Sequence, residues 1–248
     1  MLSLIGIGLG NHEDITLKGL ELVKKADKIY IDTYTSKFED KIEDLEKFYG
    51  KQVIPAPREI LESDRLINEA KENDVVLLVV GDALSATTHV DLLLQAKENN
   101  IKISVVYNSS ILTAIGITGL QLYKFGKTTS IPFWKENYKP ENFYDIIKQN
   151  KSIGAHTLCL LDITPDKCMT VNEAIELLLK VEEKRKENIF GEETLCIGCA
   201  RIGSEDFTII TGKAKELLNK DFGKPLHSLI IVGEMHFVEE EAIEQWKS

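Results

Sequence analysis

Short apolar runs alternate with amphipathic stretches through the first half of the chain. Leu2–Ile7 reads as a strand, followed by the turn Gly6-Ile7-Gly8-Leu9-Gly10. Leu17, Leu20 and Val23 then recur at helical spacing, with Asp14 or Thr16 placed to cap that helix. Lys28–Asp32 is a second strand, and Ile42, Leu45, Phe48 and Tyr49 mark a helix that Gly50 ends. Val53-Ile54 is a short strand before Pro55 and Pro57, and a helix covers Leu66 to Lys71. Val75 to Val80 is an unbroken apolar run, mostly β-branched, which predicts a strand buried on both faces. It stops at Gly81-Asp82. Small and polar residues follow, then a helix bearing Val90, Leu93 and Leu94, with Thr87 or Thr88 as a candidate cap. Ile101–Tyr107 is a further strand, ended by Asn108-Ser109-Ser110. This alternation predicts a parallel, helix-covered sheet.

The second half reads differently. Ser110 to Leu122 has helical spacing, Thr128–Ile131 is a strand stopped by Pro132, and Asn142 to Asn150 is a helix. His156–Asp162 is an apolar strand, and Thr170-Val-Asn-Glu173 is a capping box opening a helix with Ile175, Leu178 and Leu179. Thr194–Ile202 and Phe207–Thr211 are joined by Gly203-Ser-Glu-Asp206, the pattern of a hairpin. Helix Lys213–Leu218, strand His227–Val232 and helix Phe237–Trp246 complete the chain. The pattern predicts an α/β protein of two α/β domains: residues 1–120 with a mostly parallel sheet, and 121–248 with a mixed one. No Gly-, Ser- or Pro-rich linker marks the boundary.

Composition narrows the function classes. The 248 residues carry 28% charged and 43% hydrophobic residues, the balance of a globular chain. No apolar run has the length of a membrane span, and the N-terminus enters a strand without the pattern of a signal peptide. A formal net charge of −10 argues against wrapping nucleic acid or lying on an anionic membrane, and suits cationic ligands. Cys159, Cys168, Cys196 and Cys199 read as reduced thiols of a cytoplasmic protein. Cys196-x-x-Cys199 is half of a zinc pattern without the other half, so no metal is expected.

Gly6-x-Gly8-x-Gly10 lacks the third glycine of a dinucleotide fingerprint, since Asn11 or Glu13 stands there. It is either a tight turn or a loop that a ligand or the facing domain approaches closely. The strand end at Gly81-Asp82 offers a carboxylate and an open backbone where open α/β sheets bind ligands. There is no Walker A, H-E-x-x-H or G-x-S-x-G sequence, and Ser110 has no triad partners in its neighbourhood. His227 heads an apolar strand, a place where a lone histidine is more often structural. These residues imply a small-molecule site at strand ends, placed between the domains.

Taken in order, the motifs are more specific. They are Gly6-Ile-Gly-Leu-Gly10, Tyr34-Thr-Ser36, Val79-Val-Gly-Asp82 with Ala86-Thr-Thr-His89, Asn108-Ser-Ser-Ile111, Gly119-Leu-Gln-Leu-Tyr123, His156-Thr-Leu-Cys-Leu-Leu-Asp-Ile163, Ala200-Arg201-x-Gly203 and Pro225-Leu-His-Ser-Leu-Ile-Ile231. Over nearly the whole chain they resemble the diphthine synthase family. That family belongs to the tetrapyrrole-methylase-like class of S-adenosylmethionine-dependent methyltransferases. The resemblance implies donor contacts at Leu9, Asp82, Ser85, Ser110, Ile111, Leu161, Ile202 and His227, in a cleft between the domains. Ser85 stands where relatives carry a smaller or apolar residue, which implies a contact through its backbone. Cys199 replaces a usual Gly, and only Thr164–Cys168 follows Ile163 where many relatives have a longer basic insert.

The resemblance further implies S-adenosyl-L-methionine as cofactor, with S-adenosyl-L-homocysteine as product, and translation elongation factor 2 as protein substrate in diphthamide biosynthesis. It also implies a homodimer. Phe133-Trp134…Asn137-Tyr138-Lys-Pro140 looks like eukaryotic members, which methylate the carboxylate as well as the amine. Methyl transfer from a sulfonium needs positioning and no nucleophilic residue, so no catalytic residue is named. Tyr34, Tyr107 and Phe133 are candidate aromatic walls for the cationic product. The competing readings are a tetrapyrrole-precursor methyltransferase and a non-catalytic binding module on the same fold.

Overall fold

The computed structural model describes residues 1–38 and 40–247. The chain forms two compact units: Met1–Ala114 with Gly203–Glu205, and Ile115–Ile202 with Asp206–Ser248.

The first unit is built on β1 (Leu2–Gly6), β2 (Lys28–Asp32), β3 (Val53–Ala56), β4 (Val75–Val79) and β5 (Ile103–Val106). They pair in parallel in the order β3-β2-β4-β1-β5. Side chains alternate across this sheet. Leu2, Leu4, Tyr30, Val75, Leu77 and Val79 pack on one face, against α4 (Arg65–Ala70) and α5 (Val90–Glu98). Ile5, Ile29, Ile31, Val76 and Leu78 pack on the other, against α1 (Leu17–Lys25) and α2 (Ile42–Tyr49). The continuous apolar run of β4 is therefore buried on both faces. The edge position of β3 lets Pro55 sit within a strand, where a missing N–H costs little. A short helix, α3 (Arg58–Leu61), follows β3, and α6 (Ile111–Ala114) follows β5.

Several local expectations change. Thr16, and not Asp14, caps α1 by accepting the Gly19 N–H at 3.1 Å. Leu17 is 83% exposed, because the buried stripe of α1 runs through Gly19 and Val23. In α5 the buried residues are Leu92 and Ala96, while Val90 and Leu94 face solvent. Neither Thr87 nor Thr88 caps α5 through its side chain; His89 holds that place. The Ser110–Leu122 stretch breaks into α6 and a 3-10 turn over Ile115–Thr118 before Gly119.

The second unit has β6 (Thr129–Ile131), β7 (Thr157–Leu161), β8 (Leu195–Ala200), β9 (Thr208–Lys213) and β10 (His227–Ile231), in the order β6-β7-β10-β8-β9. β6 and β7 are parallel and the other pairs antiparallel, so the sheet is mixed, with β8 and β9 as the expected hairpin. α7 (Asn142–Ser152), α8 (Val171–Arg185), α9 (Ala214–Leu217) and α10 (Phe237–Glu244) complete it. Phe143, Ile147, Ile175, Leu178, Leu229 and Ile231 centre its core. The Thr170–Glu173 capping box forms as expected.

Candidate functional site

β1 and β4 are neighbours, yet their chains leave in opposite directions. β1 runs through α1 to β2 on one side, and β4 runs through α5 to β5 on the other. Such a switch point opens a crevice at the carboxyl ends of the strands. Leu9 follows β1, Asp82 and Ser85 follow β4, and Ser110 and Ile111 follow β5, so the sheet brings these expected donor contacts to one rim.

The rim is closely built. The Gly8 and Gly81 backbones exchange hydrogen bonds of 3.2 and 2.7 Å. A Cβ on Gly6 would lie 2.6 Å from the Gly81 carbonyl, so only glycine lets the two turns meet. The approach to the glycine loop is thus made by the chain's own β4 turn. Asp82 is 7% exposed. Its Oδ1 accepts the Leu84 N–H (3.0 Å) and the Ser85 hydroxyl (3.1 Å), and its Oδ2 accepts the Asn108 N–H (3.0 Å). Asn108 in turn donates to the carbonyls of Gly6 and Asp14, each at 3.0 Å, while Asp14 Oδ2 accepts the Gly10 N–H at 2.8 Å. Asp82 is therefore first a clamp that fixes the ends of β4 and β5, with Asn108 extending it to β1. The sequence places Asp82 at a strand end that offers a ligand a carboxylate and names Asn108 only as part of a motif; the clamp between them is visible in the structure alone. The signals of Asn108 in sequence are its place after a strand and its membership of the Asn108-Ser-Ser-Ile111 motif.

In the second unit Leu161 ends β7, Ile202 follows β8 and His227 opens β10. Antiparallel pairing of His227 with Ala200 and of Ser228 with Leu160 places all three at one end of that sheet. His227 is 8% exposed. Its Nδ1 accepts the Val171 N–H (3.3 Å) at the start of α8, and its Nε2 faces the carbonyls of Gly223 (3.2 Å) and Lys224 (3.0 Å). Both ring nitrogens are thus used within the chain, as a neutral imidazole with its proton on Nε2. Burial holds the ring below the usual imidazole range, against the pull of those two carbonyls. The hydrogen-bonding capacity of the ring is thus used within the chain, and Phe222 packs beside it with ring centroids 5.9 Å apart.

Two candidate aromatic walls have cationic partners of their own. Arg58 lies 5.4 Å from the Tyr34 ring centre and Lys167 lies 5.1 Å from that of Phe133. Tyr107 is 67% exposed. Cys159, Cys196 and Cys199 are buried, and Cys168 is half-buried. Burial pushes the Cys199 thiol up to about 12, with the Ser228 hydrogen bond pulling the other way. A hollow of about 350 Å³ lies at the far end of the second sheet, beside Thr157, Leu195 and Ile231, away from Leu161 and His227.

Residues 1–218 match the tetrapyrrole (corrin/porphyrin) methylases. The chain belongs to this family. Its members are S-adenosylmethionine-dependent methyltransferases, and so is this chain. It is 50% identical to an Arabidopsis thaliana protein named "Probable diphthine methyl ester synthase", over 100% of this chain and 98% of that one. It is 49% identical to the diphthine synthase of Methanococcus aeolicus, over 98% of this chain and 96% of that one. A crystal structure of diphthine synthase superposes with a TM-score of 0.91 at 38% identity, covering 99% of this chain and 95% of that one.

The rim fits the methyl donor of this family. Gly81 has φ +78°, and a Cβ there would point between Leu9 Cδ2 (3.5 Å) and Ser110 Cα (3.8 Å). The glycine keeps open the place that a side chain would begin to fill. Leu9 offers apolar surface, and the Asp82–Ser85 turn offers polar groups. Among the described residues, no helix is long and apolar enough to cross a membrane.

Proposed function

We propose that this protein transfers methyl groups from S-adenosyl-L-methionine to the amino group, and then to the carboxylate, of the 3-amino-3-carboxypropyl-histidine on translation elongation factor 2. It acts in the cytoplasm as a homodimer. Leu9, Asp82, Ser85, Ser110 and Ile111 from the first unit, and Leu161, Ile202 and His227 from the second, hold the donor. The observation that carries this reading is the rim of closely packed glycine turns at the β1–β4 switch point, in a chain related end to end to diphthine synthases.

When bound, the donor would supply an electrophilic methyl carbon to the unprotonated amine, the C–S electron pair leaving to sulfur and the ammonium proton passing to water before the next transfer. The chain's own part is placement. Leu9, Ile111, Leu161 and Ile202 offer apolar surface that excludes water, and the Asp82 clamp keeps the β4 turn in one position before the donor arrives. A near-attack arrangement held this way lowers the barrier without a consumed residue, so one site can reload and act repeatedly.

The test incubates elongation factor carrying the unmethylated precursor with donor and this protein, and follows its mass. Successive methyl additions up to four support the reading; a stop at three moves the product to diphthine. No addition, with transfer to a porphyrin or corrin precursor instead, overturns the substrate. Calorimetry with the donor, and light scattering for the dimer, check the remaining parts.

A further inference from the structure

Two motifs of the first unit remain without a role in donor contact: Tyr34-Thr35-Ser36 after β2, and Thr87-Thr88-His89 before α5. The structure joins them through Asp32 and His89, whose side chains are 1% and 2% exposed. Asp32 Oδ1 accepts the N–H groups of Tyr34 (2.7 Å) and Thr35 (2.9 Å), and Oδ2 accepts the Thr35 hydroxyl. His89 Nε2 stands 3.1 Å from Asp32 Oδ2, within ion-pairing distance though off the hydrogen-bond direction. On the opposite edge of the ring, His89 Nδ1 donates to the Ala83 carbonyl at 3.0 Å. That same carbonyl accepts the Thr87 hydroxyl at 2.8 Å.

Ala83 lies between Asp82 and Ser85, inside the turn assigned to the donor. The turn needs holding, because Ala86 sits at φ +59°, a region that residues with a Cβ adopt only under constraint. Two side chains beyond Ala86 reach back to one carbonyl before it, which is the constraint observed. A carbonyl accepts only, so Nδ1 carries the proton and its ring is oriented by that bond. A carboxylate as buried as Asp32 is costly unless matched. Burial pushes its carboxyl up, but His89, Thr35 and the Tyr34 N–H together hold it below the usual carboxylate range.

We infer that Asp32 and His89 are a positioning pair, in which the imidazole fixes the Ala83 carbonyl, and with it the Asp82–Ser85 turn, against the loop that follows β2. Neither residue touches the donor; affinity for the donor depends on the Nδ1–Ala83 bond. This rests on the donor assignment proposed above.

The experiment measures donor affinity by calorimetry and melting temperature for wild type, His89→Ala, His89→Asn, His89→Gln and Thr87→Val. An asparagine amide can take the place of Nδ1, whereas a glutamine amide falls near Nε2. Loss of a buried hydrogen bond of this kind weakens binding about tenfold in His89→Ala and about threefold in Thr87→Val. His89→Asn restores affinity to near wild type and His89→Gln does not. If every folded variant binds as wild type does, whatever its melting temperature, the inference is overturned and the pair only supports the core. Equal weakening in His89→Asn and His89→Gln also overturns it. If His89→Ala does not fold, Thr87→Val and the Asn–Gln contrast decide. Wild type that fails to bind donor removes the donor assignment itself, and is told apart because it appears before any substitution.

Discussion

The two units each bury a histidine against a carboxylate, and the two pairs are built to different ends. In the second unit His156 and Glu239 both have fully buried side chains. His156 Nδ1 accepts the Gly233 N–H at 2.9 Å, so the proton lies on Nε2, which donates to Glu239 Oε1 at 3.1 Å. Glu239 also accepts the N–H groups of Gln121 and His236, each at 2.8 Å, and the Lys124 ammonium at 2.5 Å. This joint ties the 121–124 turn, the start of β7, the chain after β10 and the head of α10, and each of its polar groups has a partner. At His89 both ring edges face acceptors, and one of them belongs to the turn assigned to the donor. An imidazole beside a carboxylate therefore serves a static joint in one unit and, in the other, holds the turn assigned to the donor. The direction of the ring protons separates them.

The largest expected effect tests the static side. Glu239→Ala leaves a buried imidazole and an ammonium without their carboxylate, a change worth about 3–5 kcal/mol of stability. Denaturant unfolding should show that loss, while donor affinity measured well below the melting temperature stays at the wild-type value. A large affinity loss there would erase the distinction between the pairs.

Asp82→Ala is the counterpart at the rim. It removes a carboxylate holding Leu84, Ser85 and Asn108. Bonds to a charged group contribute about 1.5–3 kcal/mol each, so donor affinity should fall by at least tenfold, accompanied by a drop in melting temperature. Wild-type affinity in this variant would remove Asp82 from the donor site.

Acid sharpens the comparison further. Burial works against the Glu239 carboxylate, but hydrogen bonds from His236, Lys124, Gln121 and His156 hold it down to about 2. Its stabilising contribution is present above the unfolded carboxylate range near 4.5 and is lost as pH falls toward 2. His156 is held below the ordinary imidazole range, by burial first, against the opposing pull of Glu239. Its contribution is present above the unfolded value near 6.5 and is lost below it, as protonation begins to favour the unfolded chain. Stability should therefore decline in two stages on acidification. His156→Gln should reduce the upper stage, leaving the part due to His227, and Glu239→Gln should reduce the lower one, leaving the part due to carboxylates such as Asp32 and Glu182. An unchanged profile in both variants would show that the joint is not the acid-sensitive element.

The smallest effect separates capping from binding at one helix. Thr170→Ala removes the side-chain cap of α8 and should cost about 1 kcal/mol with donor affinity intact. His227→Ala also removes a partner of the first turn of α8, the Val171 N–H, but should weaken donor binding in addition. Matching behaviour of the two variants in calorimetry would leave His227 a purely structural residue.

Legibility followed the range of the interactions. The uninterrupted run of β4, the αL glycine closing α2 and the Thr170–Glu173 box were readable because neighbours in sequence decide them. The buried face of α5 was misread, since Val90, Leu92, Leu93 and Leu94 offer more than one apolar stripe and only the sheet selects Leu92 with Ala96. Thr87 looked like a cap because its position suits one. Its hydroxyl instead reaches back to Ala83, a bond that depends on the turn around Ala86.

By itself, the sequence determined the alternation of strands and helices, the change from a parallel to a mixed sheet, and the family resemblance carried by its ordered motifs. Those are properties of periodicity, caps and local residue order. Only the tertiary structure decided that β4 lies between β2 and β1, so that the turns at Gly8 and Gly81 meet. It alone decided which partners meet at Asp82, His227, His156 and His89, because those sets include bonds between residues as many as 83 positions apart. A carboxylate or an imidazole has several ways to be satisfied, and strand order is what brings one set of partners within hydrogen-bonding distance.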